Sequence, residues 1–396
     1  MFKVTNGIYA VGVLNPNMRI FDIVMRTDYG TSYNSYIIKD KKNVLIDGCH
    51  ERFTNAFIKN IEEIVPIEKI DYLIVNHCEP DHTGALKTLL TKAPNIEIFC
   101  TASSKIFLTN ILKLPLKIHV IKDRETLNIG SNTLEFFVAP FLHWPDSMFT
   151  YMKETKTIFT CDFLGCHYCE PLMIDTQISY LPAYQKAVGE YYGAIFGPFP
   201  SYVKKGLEII KSLDISYVCT SHGPILTKNG MFSYVCDYYD KHCSLSPTKI
   251  SIPIFYASAY GYTAQIAKAI QSGIMLANKN IECQLYDINA YPLAELASIL
   301  NKAKAFCVGS PTLNKNVVPP IACLINNIDV INAKNKKALV FGDYGWSGEA
   351  QMIMESMLTN QQITVHKPNI RICFSPTAEQ LKEATKIASD FAKSIE

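Results

Sequence analysis

Nothing in the 396 residues stays apolar for the roughly 18 positions that a membrane-spanning helix requires. Met1-Phe-Lys-Val-Thr-Asn-Gly does not lead into the clean apolar run of a secretory signal, so the expected compartment is the reducing cytoplasm. An excess of one charge sign is also missing. A formal net charge of +2 leaves no field that would draw nucleic acid or an anionic membrane as partner. The Gly-x-Gly-x-x-Gly fingerprint is absent, which excludes NAD or FAD held on such a loop. There is no internal repeat and no low-complexity tract. A second Cys-x-x-Cys is lacking too: only Cys166 and Cys169 have that spacing, and a rubredoxin or zinc ribbon needs two such pairs. The thirteen cysteines are odd in number and sit in a long chain, so buried or half-buried thiols are expected rather than disulfides.

What is present is apolar material. Hydrophobic residues make up 48% and charged residues 19%, enough for sizeable cores and too little charge for disorder. The length suggests two domains, and the texture divides them at 1–246 and 247–396. The first part reads as short strands ("NSYIIKD", "KNVLIDG", "IDYLIVNH", "NIEIFCTA", "LKIHVIKD", "NTLEFFVAP", "KTIFTCDF") with few helices, among them "GALKTLLTKA". That pattern implies sheet packed on sheet with helices outside. The Ser/Pro stretch "CSLSPTKI" (243–250) reads as a linker. Beyond it strands and helices alternate in five βα units, the last helix opening on a capping-box spacing at Thr377 and Gln380. Such alternation makes a doubly wound parallel sheet of flavodoxin type.

The stretch "NHCEPDHTGAL" puts His77, Glu79, Asp81 and His82 where an apolar strand stops and a helix starts. Each of these side chains is costly to bury alone, and together they can hold two metal ions. Asp81 as a helix cap and His82 as a core histidine is the plainer reading of that stretch by itself. Three later residues weigh against it. His143 follows an apolar strand in "FLHWPDS", Asp162 ends "TIFTCDF", and His222 ends "ISYVCTSH". In a chain with nine histidines, four histidines and three carboxylates at strand ends suffice for a dinuclear site bridged by Asp162. His167 and Trp144 are expected as neighbours of the ligands, and His50, His119, His242 and His366 as ordinary histidines.

A second constellation lies in the C-terminal part. "YASAYGYTAQIA" places Ser258, Ala259, Tyr260, Gly261, Tyr262 and Thr263 at a strand-to-helix turn, whose N–H groups and hydroxyls suit a phosphate. "VGSPTLNKN" offers Pro311, Thr312, Leu313 and Asn314; "FGDYGWSGEA" offers Tyr344, Gly345, Trp346 and Gly348. All three loops end strands on the side where open α/β sheets bind ligands.

The His-x-Glu-x-Asp-His motif, followed by His143, Asp162 and His222, resembles the pattern of flavodiiron proteins, also called A-type flavoproteins. "YNSY", "HWPDSM", "CDFLG" and "SHGP" share in the likeness, which covers essentially the whole chain. It implies an N-terminal αββα metallo-β-lactamase-like sandwich followed by a flavodoxin-like domain binding FMN. It implies one iron on His77, Glu79, His143 and Asp162, and a second on Asp81, His82, His222 and the same Asp162. The wider superfamily commonly has histidine where Glu79 stands; a carboxylate adds negative charge and a hard oxygen, favouring redox iron over zinc. The implied reaction is reduction of O2 to water, of NO to N2O, or both. The implied electron donor is a separate rubredoxin or NAD(P)H-linked flavoprotein reductase, and the implied assembly a head-to-tail homodimer or dimer of dimers. A zinc hydrolase with an appended flavodoxin and a non-catalytic electron carrier are the rival readings.

Overall fold

Consecutive residues of the central strands in the N-terminal half face two different cores. This is visible throughout the computed structural model, which describes residues 1–21, 25–244, 250–329, 333 and 335–395. In strand Asn43–Ile46, Leu45 packs toward the helices while Val44 and Ile46 pack toward the opposite sheet. The same alternation separates Leu73 from Ile74, Phe137 from Phe136, Phe149 from Met148, and Val218 from Cys219. A strand whose two faces are both buried must be apolar at nearly every position, which is why these runs are continuous rather than alternating with polar residues.

Two sheets result. One has seven strands and runs from Phe2–Thr5 at one edge, through Tyr36–Ile38, Asn43–Ile46, Ile70–Ile74 and Glu97–Cys100, to Lys117–Val120. The other has six, from Thr126–Asn128 through Thr133–Val138, Met148–Met152, Thr157–Cys161 and Tyr217–Thr220 to Leu226–Thr227. Phe136, Met148, Met152 and Phe159 of the second sheet fill the space against Ile38, Val44, Ile46 and Ile74 of the first. Helices Thr54–Glu62, Leu86–Lys92 and Ala102–Leu112 cover the outer face of the first sheet; Leu181–Tyr191, Pro200–Lys211 and Phe232–Cys243 cover the second. This is the αββα sandwich expected, with more helix in its second half than the sequence pattern suggested. Strand Met148–Met152, buried at all five positions, is an element the pattern did not single out.

Two compact units divide the chain, Met1–Leu245 and Ser246–Glu396. Of the stretch read as a linker, residues 245–249 lie outside the described residues, as does the expected division at 246/247. In the second unit the strands Leu285–Asp287, Ile254–Tyr256, Ala305–Gly309 and Lys337–Tyr344 are neighbours in that order, all parallel. Lys337–Tyr344 pairs with Thr364–Val365 at its start and Ile370–Cys373 at its end. In chain order that is a 2-1-3-4-5 sheet, the flavodoxin-like arrangement. The last helix, Ala378–Lys393, begins with the full capping box, Thr377 and Gln380 each satisfying the other's backbone N–H. Among the described residues no helix is long and apolar enough to cross a membrane.

One glycine shows how tightly the helices of this unit meet. Gly273 sits inside helix Tyr262–Ala277, where glycine costs ~1 kcal/mol relative to alanine. A Cβ there would lie 2.1 Å from the carbonyl oxygen of Thr385 on the last helix. Overlap with backbone outweighs the gain in helix propensity, so Gly273→Ala should lower the stability of the C-terminal unit by roughly 1–3 kcal/mol. Urea unfolding followed by circular dichroism checks this; a stabilised variant would contradict the packing.

Candidate functional site

All seven metal-capable residues singled out in the sequence meet in one buried cluster, and each arrives from the end of a strand or the loop after it. His77 and Glu79 lie in the loop after strand Ile70–Ile74, and Asp81 and His82 in the short helix Pro80–Thr83 that follows. Those four come from the seven-stranded sheet. The other sheet contributes His143 from the loop after Thr133–Val138, Asp162 just past Thr157–Cys161, and His222 just past Tyr217–Thr220.

The donors fall into two groups that share one carboxylate. His143 Nε2 lies 3.0 Å from Glu79 Oε2 and 3.3 Å from Asp162 Oδ2. His77 Nε2 lies 3.2 Å from Glu79 Oε2 and 3.6 Å from Asp162 Oδ2. On the other side of the same carboxylate, Asp162 Oδ1 is 3.2 Å from His82 Nε2 and 3.3 Å from His222 Nε2. Asp81 closes that second group, 3.3 Å from His82 and 3.1 Å from His222. Donors bound to one ion at ~2.0–2.2 Å stand ~3–3.6 Å apart along the edges of its polyhedron, so these spacings are those of two coordination shells meeting at Asp162.

The electrostatics also call for cations. Burial opposes the charged form of every group here, yet charge pairing prevails. Asp162 is held well below the usual carboxylate range by His82 and His143, despite burial. Glu79 is lowered, again against burial, by hydrogen bonds from His143 and His77. Conversely, burial would depress His82, but Asp81 and Asp162 lift it to about 9. His77 and His143 are raised too, against burial, the first by Asp146 and Glu79 and the second by Asp162 and Glu79. In the absence of metal, protons on the imidazoles compensate the carboxylates; metal ions are the natural replacement. Both oxygens of Asp81, both nitrogens of His82 and Oδ2 of Asp162 are buried without a hydrogen-bond partner. Such orphaned atoms are costly unless an ion takes them. The donor set therefore fits two metal ions.

Behind the donors stands a layer of positioning contacts; Trp144 and His167 were expected there from the sequence, and Asp146, Ser104, Thr101, Ser32, Ser221 and Asn34 were not. Asp146, fully buried, accepts from the Cys78 N–H at 2.7 Å and lies 3.2 Å from His77 Nδ1, fixing that ring with Nε2 toward the cluster. Ser104 and Thr101, at the start of helix Ala102–Leu112, donate to Asp146 in turn. Trp144 stands edge-on to His77, ring centres 5.1 Å apart. His222 Nδ1 is 2.7 Å from Ser32 O, and Ser221 donates to Asp162 Oδ1 at 2.7 Å. Asn34, in the quoted "YNSY", donates to the carbonyls of Thr220 and Gly223 and so pins the turn that carries His222. His167 bonds Thr31 Oγ1 at 2.8 Å and packs against His222, ring centres 4.9 Å apart. Cys166 and Cys169 are free thiols, one buried and one half-buried. Asp146 lay inside the quoted "HWPDSM", but an aspartate after Trp-Pro reads as a turn residue until its burial is seen.

In the second unit, a cleft of about 310 Å³ opens at the carboxyl ends of the strands. Ala259, Tyr260, Tyr262, Pro311, Thr312, Leu313, Asn314, Gly345 and Trp346 line it, as the three loops suggested. Lys315, Asp343, Ser347 and Phe374 line it as well, and sequence reading did not name them. Ser258, Gly261, Thr263, Tyr344 and Gly348, from the same three loops, are not among the lining residues. Gly261 takes a left-handed φ of +85° as the cap of helix Tyr262–Ala277. Ser258 Oγ accepts from the Ala264 N–H at 3.3 Å. Tyr344 carries the Arg371 guanidinium 4.7 Å above its ring. Strands Thr312–Leu313 and Asn316–Val317 form a hairpin whose turn residues Asn314 and Lys315 both have positive φ, the tight primed turn that holds Pro311–Asn314 at the cleft edge. Tyr260 and Trp346 are 82% and 91% exposed. Large rings left in water at the rim of a cleft provide faces for a planar ligand. A helix N-terminus with no acid in its first turn, beside two such rings, fits a flavin mononucleotide.

Comparison with known proteins agrees with the fold of both units. Residues 31–223 match the family described as ODP family beta lactamase, and residues 254–387 match flavodoxin. The flavo-diiron protein FprA2 of Clostridium acetobutylicum is 48% identical over 396 residues, covering 99% of each chain. The anaerobic nitric oxide reductase flavorubredoxin of Pectobacterium atrosepticum is 33% identical over 352 residues, 88% of this chain and 68% of that one. Among solved structures, rubredoxin oxygen:oxidoreductase of Desulfovibrio gigas superposes with a TM-score of 0.73 at 26% identity, over 99% of this chain and 98% of that one.

Two measurements follow from the site. Asp146→Ala frees the His77 ring, and the affinity of metal-free protein for a divalent probe ion, read by competition with a chelator, should fall about 10–100-fold. Unchanged affinity would mean that Asp146 serves only the Cys78 N–H. The sign of the pH dependence is also set. Metal must displace the proton that Asp81 and Asp162 keep on His82 by raising its pKa to about 9, so apparent affinity should keep climbing from pH 7 to 9. A plateau from pH 7 upward would show the imidazoles already neutral.

Proposed function

Because the chain belongs to the flavodiiron family of A-type flavoproteins, an oxidoreductase family with a di-iron centre and FMN, we propose that it reduces O2 to water and NO to N2O. The observation that carries this reading is the sharing of Asp162 between two buried donor groups, one of which contains a glutamate in place of a third histidine. When bound, two irons and FMN supply up to four electrons, enough to take O2 to two waters or to take NO pairs to N2O and water.

The residues have assigned tasks in that reading. His77, Glu79, His143 and Asp162 hold one ion; Asp81, His82, His222 and Asp162 hold the other. Glu79 adds an anionic oxygen that stabilises the higher valence. Asp162 would serve both ions, since each of its oxygens faces a different donor group. Asp146, through His77 Nδ1, keeps one imidazole in the tautomer that presents Nε2. Four histidines and three carboxylates leave coordination positions for a small oxidant, and no side chain is needed as nucleophile or base. In the second unit, the turn 258–263 takes the phosphate and the loops at 311–314 and 344–348 border the ring. Electrons come from a separate rubredoxin or NAD(P)H-linked flavoprotein, a role in keeping with the name of the Desulfovibrio relative. A head-to-tail homodimer, or a dimer of such dimers, sets the flavin of one chain beside the metals of its partner.

The test is a reduced, anaerobic sample with iron and flavin counted, mixed with O2 or NO at an electrode. Both gases should be consumed, and His77→Ala should abolish consumption while the flavin stays bound. Consumption undiminished in that variant would leave the chain an electron carrier. Zinc in place of iron in protein purified from its own cell, with neither gas consumed, would make it a hydrolase.

A further inference from the structure

The flavin cleft contains an acid at the place where it asks most of a phosphate. Asp343 ends the central strand Lys337–Tyr344 and lines the cleft. Its Oδ1 accepts a short hydrogen bond from the hydroxyl of Thr263, and the Thr263 backbone supports the carboxyl as well. Thr263 is fully buried in the first turn of helix Tyr262–Ala277. The hydroxyl and backbone donor of Thr263 are therefore already engaged by a carboxyl of the protein itself, and the Ala264 N–H by Ser258 Oγ.

Among the described residues no cation offsets that charge. Tyr260 and Tyr262, from the loop and helix beside it, line the same cleft as Asp343. Lys315 comes from the hairpin, while Arg371 and Cys373 come from the adjoining strand. Lys315 and Arg371 both act on Glu349, lowering its pKa, and Arg371 also donates to Ser347 O and covers the Tyr344 ring. Asp343 takes charge stabilisation from neither; burial pushes its carboxyl above the ordinary range.

Resting on the reading that this cleft takes FMN, we propose that Asp343 couples cofactor binding to proton uptake: the flavin phosphate enters beside it only when the carboxyl is neutral. A protonated Asp343 still pairs with the Thr263 hydroxyl, now as donor or acceptor, and releases the Thr263 N–H to the phosphate oxygens. Affinity for FMN then falls as pH rises, because the free protein must gain a proton that the solution offers less readily.

The experiment uses full-length protein stripped of flavin and titrated with FMN or riboflavin, followed by flavin fluorescence between pH 7 and 9. The phosphate, with its second pKa near ~6, stays dianionic across that range. For the wild type the FMN dissociation constant should rise by up to about tenfold per pH unit, with riboflavin flat. Asp343→Asn keeps a partner for Thr263 and should bind FMN at least about tenfold tighter at pH 8, with the slope gone. Asp343→Ser should do the same, guarding against a misfolded first variant. Calorimetry in buffers of different ionisation enthalpy should show one proton taken up by the wild type and none by either variant. Superimposable pH curves for wild type and variants, or an equal slope with riboflavin, would overturn the proposal while leaving the flavin assignment intact. A wild type that binds no FMN at any pH would overturn both.

Discussion

Three carboxylates and four imidazoles packed out of reach of water can coexist only if their charges cancel, and this constraint organises the N-terminal unit. Asp162 bears the greatest share. It is surrounded by His77, His82, His143 and His222 at 3.2–3.6 Å, so one carboxylate links both donor groups. Removing it would leave four imidazoles without their common counter-charge. The protein is built to hold positive charge at this spot, whether as protons or as metal, and the raised pKa values of His77, His82 and His143 are the signature of that demand.

The αββα sandwich meets the demand with rigid backbone. Two sheets bring strand ends from different directions to one place, and residues just past a strand end combine a fixed root with freedom to turn inward. Each ligand-bearing loop is then tied by buried polar contacts: Asp146 to the His77–Cys78 segment, Ser32 to His222, Asn34 to the turn around Gly223. These contacts lie in a low-dielectric interior, where a satisfied polar network stiffens its surroundings and a broken one is costly. The inter-sheet core beneath, rich in isoleucine and phenylalanine, keeps the two halves of the site in register.

Much of this was legible because ligand chemistry uses few residue types at short, fixed spacings. His77, Glu79, Asp81 and His82 declare themselves within six positions, and His143, Asp162 and His222 are marked by the apolar strands that precede them. The βα alternation of the second unit was equally plain, since a sheet covered on both faces needs near-continuous apolar strands. Other features left no local trace. Strand Met148–Met152 follows a turn so closely that the pattern did not single it out. Asp146 and Asn34 act through partners 69 and 186 positions away, and such pairings exist only after folding. Lys315 and Asp343 stood inside quoted loops, but nothing in a loop's sequence tells which side chain turns into a cleft.

The two units use carboxylates to opposite ends, and the difference follows from what surrounds them. Around the metal donors every carboxylate has an imidazole within about 3.6 Å, so ionisation is favoured even in a buried setting, and Glu79 and Asp162 are driven down. In the flavin cleft Asp343 has a hydroxyl and a backbone donor but no cation, so desolvation prevails and its carboxyl is driven up. The first arrangement selects for cations by making their absence costly. The second resists a doubly charged phosphate until a proton arrives. One chain thus adjusts its hold on two unlike cofactors with the same functional group, by deciding only whether a positive charge stands beside it.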